Sequence, residues 1–214
     1  MESENKKWTK NLSAANDLKA KYPVFAVLID SKITEATKLW NDASGISNED
    51  EKLQKMVSAN DLLDEGSIGN LSNMQSKISD LRSKKESLMK LKTPDLQLES
   101  RAQNAFETVE DAVKKAEKVL YMTADEFNID EAPGEIDRAW NSLNDAYSEV
   151  EIIINNINNA NKTVADEKAR KEQQIQDDKK KAEEMAQDIK CPYCGTMNPH
   201  DYTKCKSCGA PKEK

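Results

Sequence analysis

Thr93-Pro94-Asp95-Leu-Gln-Leu98-Glu-Ser-Arg-Ala102-Gln-Asn-Ala105-Phe106-Glu-Thr-Val109-Glu-Asp-Ala112-Val113-Lys-Lys-Ala116-Glu-Lys-Val119-Leu120 carries the pattern that decides the fold. Leu98, Ala102, Ala105, Val109, Ala112, Ala116 and Val119 recur in unbroken steps of four and three, which places them on one stripe of an α-helix whose other faces meet water. Phe106, Val113 and Leu120 widen the stripe, and its alanines let a neighbouring helix come close. Thr93 is placed to cap the start, with Pro94 at the first helical position and Asp95 in the first turn.

Similar stripes lie on both sides. Upstream, Gly66 and a Ser67 cap precede Leu71, Met74, Ile78, Leu81 and Leu88, with Lys85 interrupting. Downstream, past a turn-like segment from Thr123 to Pro133 and Gly134, the stripe is Ile136, Trp140, Leu143, Tyr147, Val150, Ile154, Ile157 and Val164. Asn161 stands in register there, a polar residue of the kind that fixes helix pairing at some cost in stability. Residues 1–65 repeat the theme less cleanly. Trp8, Leu12, Ala15, Leu18 and Tyr22 make a short amphipathic helix that Pro23 ends or kinks. Phe25, Leu28, Ile29, Ile33, Ala36, Leu39 and Trp40 form the next, closed by Gly45. Val24 to Ile29 has the composition of a buried strand, but no second strand exists to pair with it, so helix is preferred. A further helix starts near Ser47, with Asp50 at the capping-box offset, and carries Leu53, Met56, Val57, Asn60 and Leu63. The three tryptophans read as core anchors.

Short connections at Gly66, Thr93 and Pro133 make neighbouring helices antiparallel, so the expected fold is an all-α, elongated antiparallel bundle over residues 1–164. Composition agrees. Charged residues, 33% of the chain, nearly equal the 37% that are hydrophobic, and with 5% aromatic and 6 glycines a sandwich, barrel or doubly wound sheet is hard to build. No apolar run exceeds six residues, far short of the roughly 20 that a transmembrane helix needs. The first residues lack the apolar core of a signal peptide, so a cytoplasmic location is expected.

From Ala165 to Lys190 apolar residues thin out and acids alternate with bases. Asp166 with Arg170, Glu167 with Lys171 and Asp177 with Lys181 stand four apart in the favourable acid-first order. This segment reads as a solvated helical stalk that continues the preceding helix, or alternatively as a charged linker.

All four cysteines fall in the last 24 residues, as Cys191-Pro-Tyr-Cys194-Gly195 and Cys205-Lys-Ser-Cys208-Gly209. Clustering of this kind speaks for a metal site rather than scattered disulfides. Two residues between paired cysteines let both thiolates reach one ion, and the glycine after each pair permits a tight turn. Cys191-Pro-Tyr-Cys194 is also a glutaredoxin-like dithiol, but that fold follows its CxxC with most of a sheet, and here a second CxxC follows instead. Residues 191–214 resemble the short zinc ribbons found at the ends of many bacterial and archaeal proteins, matching CPxCG with a following Asn198 and then CxxCGxP. The resemblance implies one structural Zn²⁺ held by Cys191, Cys194, Cys205 and Cys208, and it is nearly silent on function. His200, in the spacer, reads as a loop residue because four thiolates already satisfy zinc.

With one histidine in the chain, neither a His-dependent triad nor a di-iron bundle site can be assembled. The glycines form no phosphate-binding loop. A non-enzymatic scaffold or adaptor is therefore expected, docking a protein partner through its ribbon, its bundle or both. Tyr193, Met197, Tyr202, Lys204 and Lys206 are the candidate contact groups, although either tyrosine could instead be the ribbon's core. The alternative is a nucleic-acid- or ribosome-associated factor that touches phosphate through Lys190, Lys204, Lys206, Lys212 and Lys214, with a tyrosine stacking on a base. Against it, residues 1–189 hold 27 Lys and Arg against 37 Asp and Glu. The coiled-coil-like stripes are also compatible with homo-oligomerisation.

Overall fold

The computed structural model describes residues 2–212, and Lys214 lies outside them. Its described residues form six α-helices and one two-stranded sheet: α1 (Glu2–Lys21), α2 (Ala26–Ser44), α3 (Glu49–Asp64), α4 (Gly66–Lys90), α5 (Leu96–Leu120), α6 (Ala132–Ala186), β1 (Ile189–Lys190) and β2 (Met197–Asn198). The protein is thus an all-α helical bundle with a small cysteine-bearing module at its C-terminal end. No helix among the described residues is long and apolar enough to cross a membrane. The chain divides into two compact units, Met1–Ile157 and Asn158–Lys214.

In the first unit, α1, α2 and α3 pack on one another. Pro23 to Phe25 form a single 3₁₀ turn between α1 and α2, and Val24 to Ile29 is helical rather than extended. Trp8 stacks on Trp40 at 4.6 Å between ring centroids, and Lys19 pairs with Asp30 at 2.7 Å, so the two helices run antiparallel. All three tryptophans are half-buried and cover the core's edge rather than fill it. Asn60, fully buried on α3, donates from Nδ2 to the Glu4 carboxylate at 2.9 Å, and Asn11 of α1 donates to the Asn60 carbonyl at 3.4 Å. Phe25 meets Phe127 edge-on at 5.6 Å, which ties the α5–α6 connection to the base of α2.

The second half of this unit is a three-helix bundle. Arg82 pairs with Glu117 at 2.7 Å and Lys85 with Glu110 at 2.6 Å, an antiparallel α4–α5 arrangement. Ser67 and Asn70 both donate to the Asp137 carboxylate, and Lys84 pairs with Glu151 at 2.8 Å, so α4 and α6 run parallel. The predicted stripes of α4 and α5 are buried as read, with Phe106 half-buried at the margin.

The α6 stripe needs correction. Its buried seam is Ile136, Ala139, Leu143, Ala146, Val150, Ile153 and Ile157, a strict three-four alternation. Trp140, Tyr147 and Ile154 lie one position over and are half-buried. Alanines at 139 and 146 let the helices close, and the larger neighbours then lean over the contact: Lys77 and Lys84 sit 3.9 and 4.9 Å from the Tyr147 ring centroid. Beyond Ile157 no described residue of α6 is buried, and Val164 is 55% exposed. Along that exposed stretch the ion pair among the described residues is Lys168 with Glu172 at 3.9 Å, in place of the three pairs expected from spacing. Leu53 and Val57 of α3 likewise lie at the exposed margin of the core, which takes Met56, Ala59, Asn60 and Leu63.

The caps also shift. Asn48, not Ser47, caps α3, its side chain accepting from the Asp50 and Glu51 amides. Asp95, not Thr93, caps α5, accepting from the Leu98 amide at 2.8 Å. Asp95 is a stronger cap than Thr93, whereas Asn48 and Ser47 are equally good acceptors and the backbone turn at Asn48 selects it. Glu65 stands at the N-cap of α4 without a side-chain bond, and Ser67 lies inside the helix, its hydroxyl directed to α6. The corner between α3 and α4 is only Glu65 long. Gly66 takes φ +57°, and a Cβ on Gly69 would stand 2.1 Å from the Asp64 carbonyl oxygen, so glycine is required there for the close approach.

Candidate metal centre

In the C-terminal module the two CxxCG segments adopt the same backbone turn. The Cys191 amide donates to Thr196 O at 2.8 Å and Gly195 N to Cys191 O at 2.9 Å. Cys205 N donates to Ala210 O and Gly209 N to Cys205 O at the same two distances. Gly195 and Gly209 take φ of +75° and +70°, the left-handed conformation that side chains disfavour. Each turn folds its two thiols to one side. β1 and β2 pair antiparallel across the first turn, Ile189 with Asn198 and Lys190 with Met197, and a single bridge joins Lys204 to Pro211 across the second.

All four Sγ atoms lie within 4.8 Å of one another, with Cys191 to Cys208 at 3.8 Å and Cys194 to Cys205 at 3.6 Å. Thiolates bound at about 2.3 Å around one tetrahedral ion stand about 3.8 Å apart. A disulfide needs about 2.05 Å. The four cysteines are therefore free thiols placed to bind a metal ion, as their spacing predicted. Cys191 and Cys205, one from each turn, are buried, and Cys194 and Cys208 are exposed.

The local field suits thiolate at Cys205 and Cys194. The Cys208 and Ser207 amides, with the Asn198 side chain, hold the Cys205 thiol down at about 6. Thr196 lowers Cys194, by its side chain first and its backbone second. At Cys208 the Ala210 amide also lowers the pKa, but the neighbouring thiols, Cys194 foremost, and burial push it up to about 12. Cys194, Cys205 and Cys208 are thus shifted unequally by their neighbours, and a divalent cation among the sulfurs would take the place of the thiol protons.

Asn198 joins the two turns. It is fully buried, donates from Nδ2 to Thr196 O at 2.9 Å and to Cys205 Sγ at 3.5 Å, and accepts the Lys206 amide on Oδ1 at 2.9 Å. One side chain therefore fixes the first knuckle to the second and supplies an N–H to a ligand sulfur. Sequence reading placed it only as part of a motif match. Because outer contacts of this kind orient ligands, Asn198→Ala should weaken metal binding by about tenfold to a hundredfold. Asn198→Asp should be worse, since it sets a carboxylate oxygen against Thr196 O and the Cys205 sulfur. Competition with a chromophoric chelator measures both.

Tyr202 belongs to the module's core with Cys191 and Cys205, and Ile189 packs against them. Of the two roles left open for it, the core one holds, and it is corrected from the set of exposed contact groups. Tyr193 is 62% exposed and Met197 47%, and Lys204 and Lys206 are exposed. His200 is half-buried and outside the four-sulfur cluster, and its carbonyl accepts the Lys212 ammonium. No family model, curated protein or solved structure matches the chain.

Proposed function

We propose that the four cysteines hold one structural Zn²⁺ in a zinc ribbon, and that the chain is a non-enzymatic scaffold whose ribbon docks a protein partner. Four thiolates in a tetrahedron are a soft, closed donor set suited to zinc, and four protein ligands leave no position for a reactive water. The observation that carries docking is the division of labour among the ribbon's large side chains. Its small core takes Tyr202 and Ile189, while Tyr193, between the two cysteines of the first knuckle, and Met197, three residues after it, stay exposed. Tyrosine and methionine are side chains that protein interfaces favour, and the exposed Lys204 and Lys206 provide a polar margin. The one histidine and the carboxylates spread over solvated helix faces offer no acid–base pair to build catalysis on.

The test is a pull-down from the native host with and without nuclease, comparing the intact chain with Y193A/M197A. A protein partner that survives nuclease and about 0.5 M salt, and falls by about tenfold or more with the variant, supports ribbon docking. Material lost to nuclease and to salt points to phosphate recognition through Lys190, Lys204 and Lys206 instead. Partners retained by the variant move recognition to the helical bundle.

A further inference from the structure

Three cations on α4 that face its neighbours are matched by acids, Arg82 with Glu117, Lys84 with Glu151 and Lys85 with Glu110, and a fourth, Lys77, sits over the Tyr147 ring. The opposite junction, where the last turns of α5 meet the first turns of α6, is built differently. A cleft of about 420 Å³ opens there, within the range of small-molecule pockets. Buried Val119, Met122 and Ala139 floor it, and Lys115, Lys118 and Arg138 stand exposed at its rim. Among the described residues, none of these three cations has an ion-pair partner within 4 Å. Glu135 and Asp145 also line the cleft, so cations exceed acids there by three to two, in a body where acids predominate. The depth has a sequence cause. Ala139 lies in the α6 seam, where a larger side chain would close the floor. A second cavity of about 270 Å³ shares Lys115, Ser142 and Asp145 and extends along the same two helices beside Ala112.

We propose that this cleft binds a small free organic anion, its apolar ring or short chain on Val119, Met122 and Ala139 and its acidic group among Lys115, Lys118 and Arg138. Cations held around an apolar floor select an amphiphilic anion over an inorganic one, because neither contact alone gives both affinity and orientation.

Titration of the full chain with anilinonaphthalene sulfonate, followed by fluorescence, tests this. Phenylnaphthylamine, with the same rings and no charge, is the comparator. The expected result is saturable one-to-one binding of the sulfonate, weakened about tenfold or more in K118E/R138E and weakened by salt, with the neutral probe unaffected by the variant. Unaltered helical circular dichroism checks that the variant folds. In the unmutated chain the Val119 and Met122 methyl resonances should move on adding the sulfonate. Absence of saturable binding, several equivalents bound, equal affinity in the charge-reversed variant, or binding that leaves both methyl groups unmoved would each overturn the proposal.

Discussion

Removing the metal from the intact chain with a chelator should unfold the segment from Ile189 to Lys212 while the helical signal of residues 2–157 persists. The segment's buried apolar cluster is Cys191, Tyr202 and Cys205, with Ile189 against it. Ordering each residue costs about 1–2 kcal/mol of backbone entropy, and so small a cluster cannot offset that over two dozen residues. Zn²⁺, the ion proposed above, binds zinc-finger peptides with about 10–16 kcal/mol at neutral pH, enough to fold a module of this size. Cys205→Ser should have the same effect as chelation, because Cys205 is at once ligand, core residue and acceptor of the Ser207 and Asn198 N–H groups. The readout is specific: ring resonances of Tyr202 collapse to random-coil positions, whereas Leu143 and Val150 methyl resonances in the α6 seam stay dispersed. Dispersed Tyr202 resonances in the fully demetallated chain would show that hydrogen bonding alone folds the module.

Gly69→Ala should destabilise the bundle by on the order of 3 kcal/mol, a fall in Tm of about 10 °C, in contrast to an unremarkable change of size on paper. The added Cβ would stand 2.1 Å from the Asp64 carbonyl oxygen and 2.8 Å from its carbon, and both are backbone, so no side chain can swing aside. Relief requires the end of α3 to move away from the start of α4. That movement disturbs the contact of Ser67 and Asn70 with Asp137 as well. Gly66→Ala is the control. Its φ of +57° costs a side chain about 1 kcal/mol, but open space surrounds the position. Thermal unfolding of the two variants should therefore separate them by several degrees. Equal losses would mean that the corner opens freely and that the two groups of helices are not fixed through it.

The stripes of α4 and α5 were legible because each buried position there is apolar and the steps of three and four are uninterrupted. In α6 the same arithmetic chose Trp140, Tyr147 and Ile154 over Ala139, Ala146 and Ile153. At 139 and 146 side-chain size misleads, since the residue where helices approach closely is small and the bulky one beside it serves as cover, whereas Ile153 and Ile154 are alike and only the register separates them. Caps were misplaced by one or two residues for a related reason: Ser47, Asn48, Thr93 and Asp95 are all competent, and which one caps depends on where the chain turns. The four ligands were fully legible, because their spacing is itself the chemistry. Asn198 was not, for its role depends on reaching from β2 to the Lys206 amide across the second turn, a contact that no local pattern encodes. The sequence likewise places Tyr193 and Tyr202 on an equal footing, and only the turn geometry sends one inward.

Helix α6 runs through two regimes, since its seam stops at Ile157 and the helix continues to Ala186. Starting a helix is the improbable step, because several residues must be fixed before the first hydrogen bond closes. Residues past Ile157 are spared that step, because the packed half supplies a formed turn on which each further residue need only propagate. Their Ala, Glu, Lys and Gln content favours propagation. The distal half should then lose structure gradually on heating, by fraying, while the seam-bearing half melts cooperatively with α4 and α5. One continuous helix therefore has no single melting temperature.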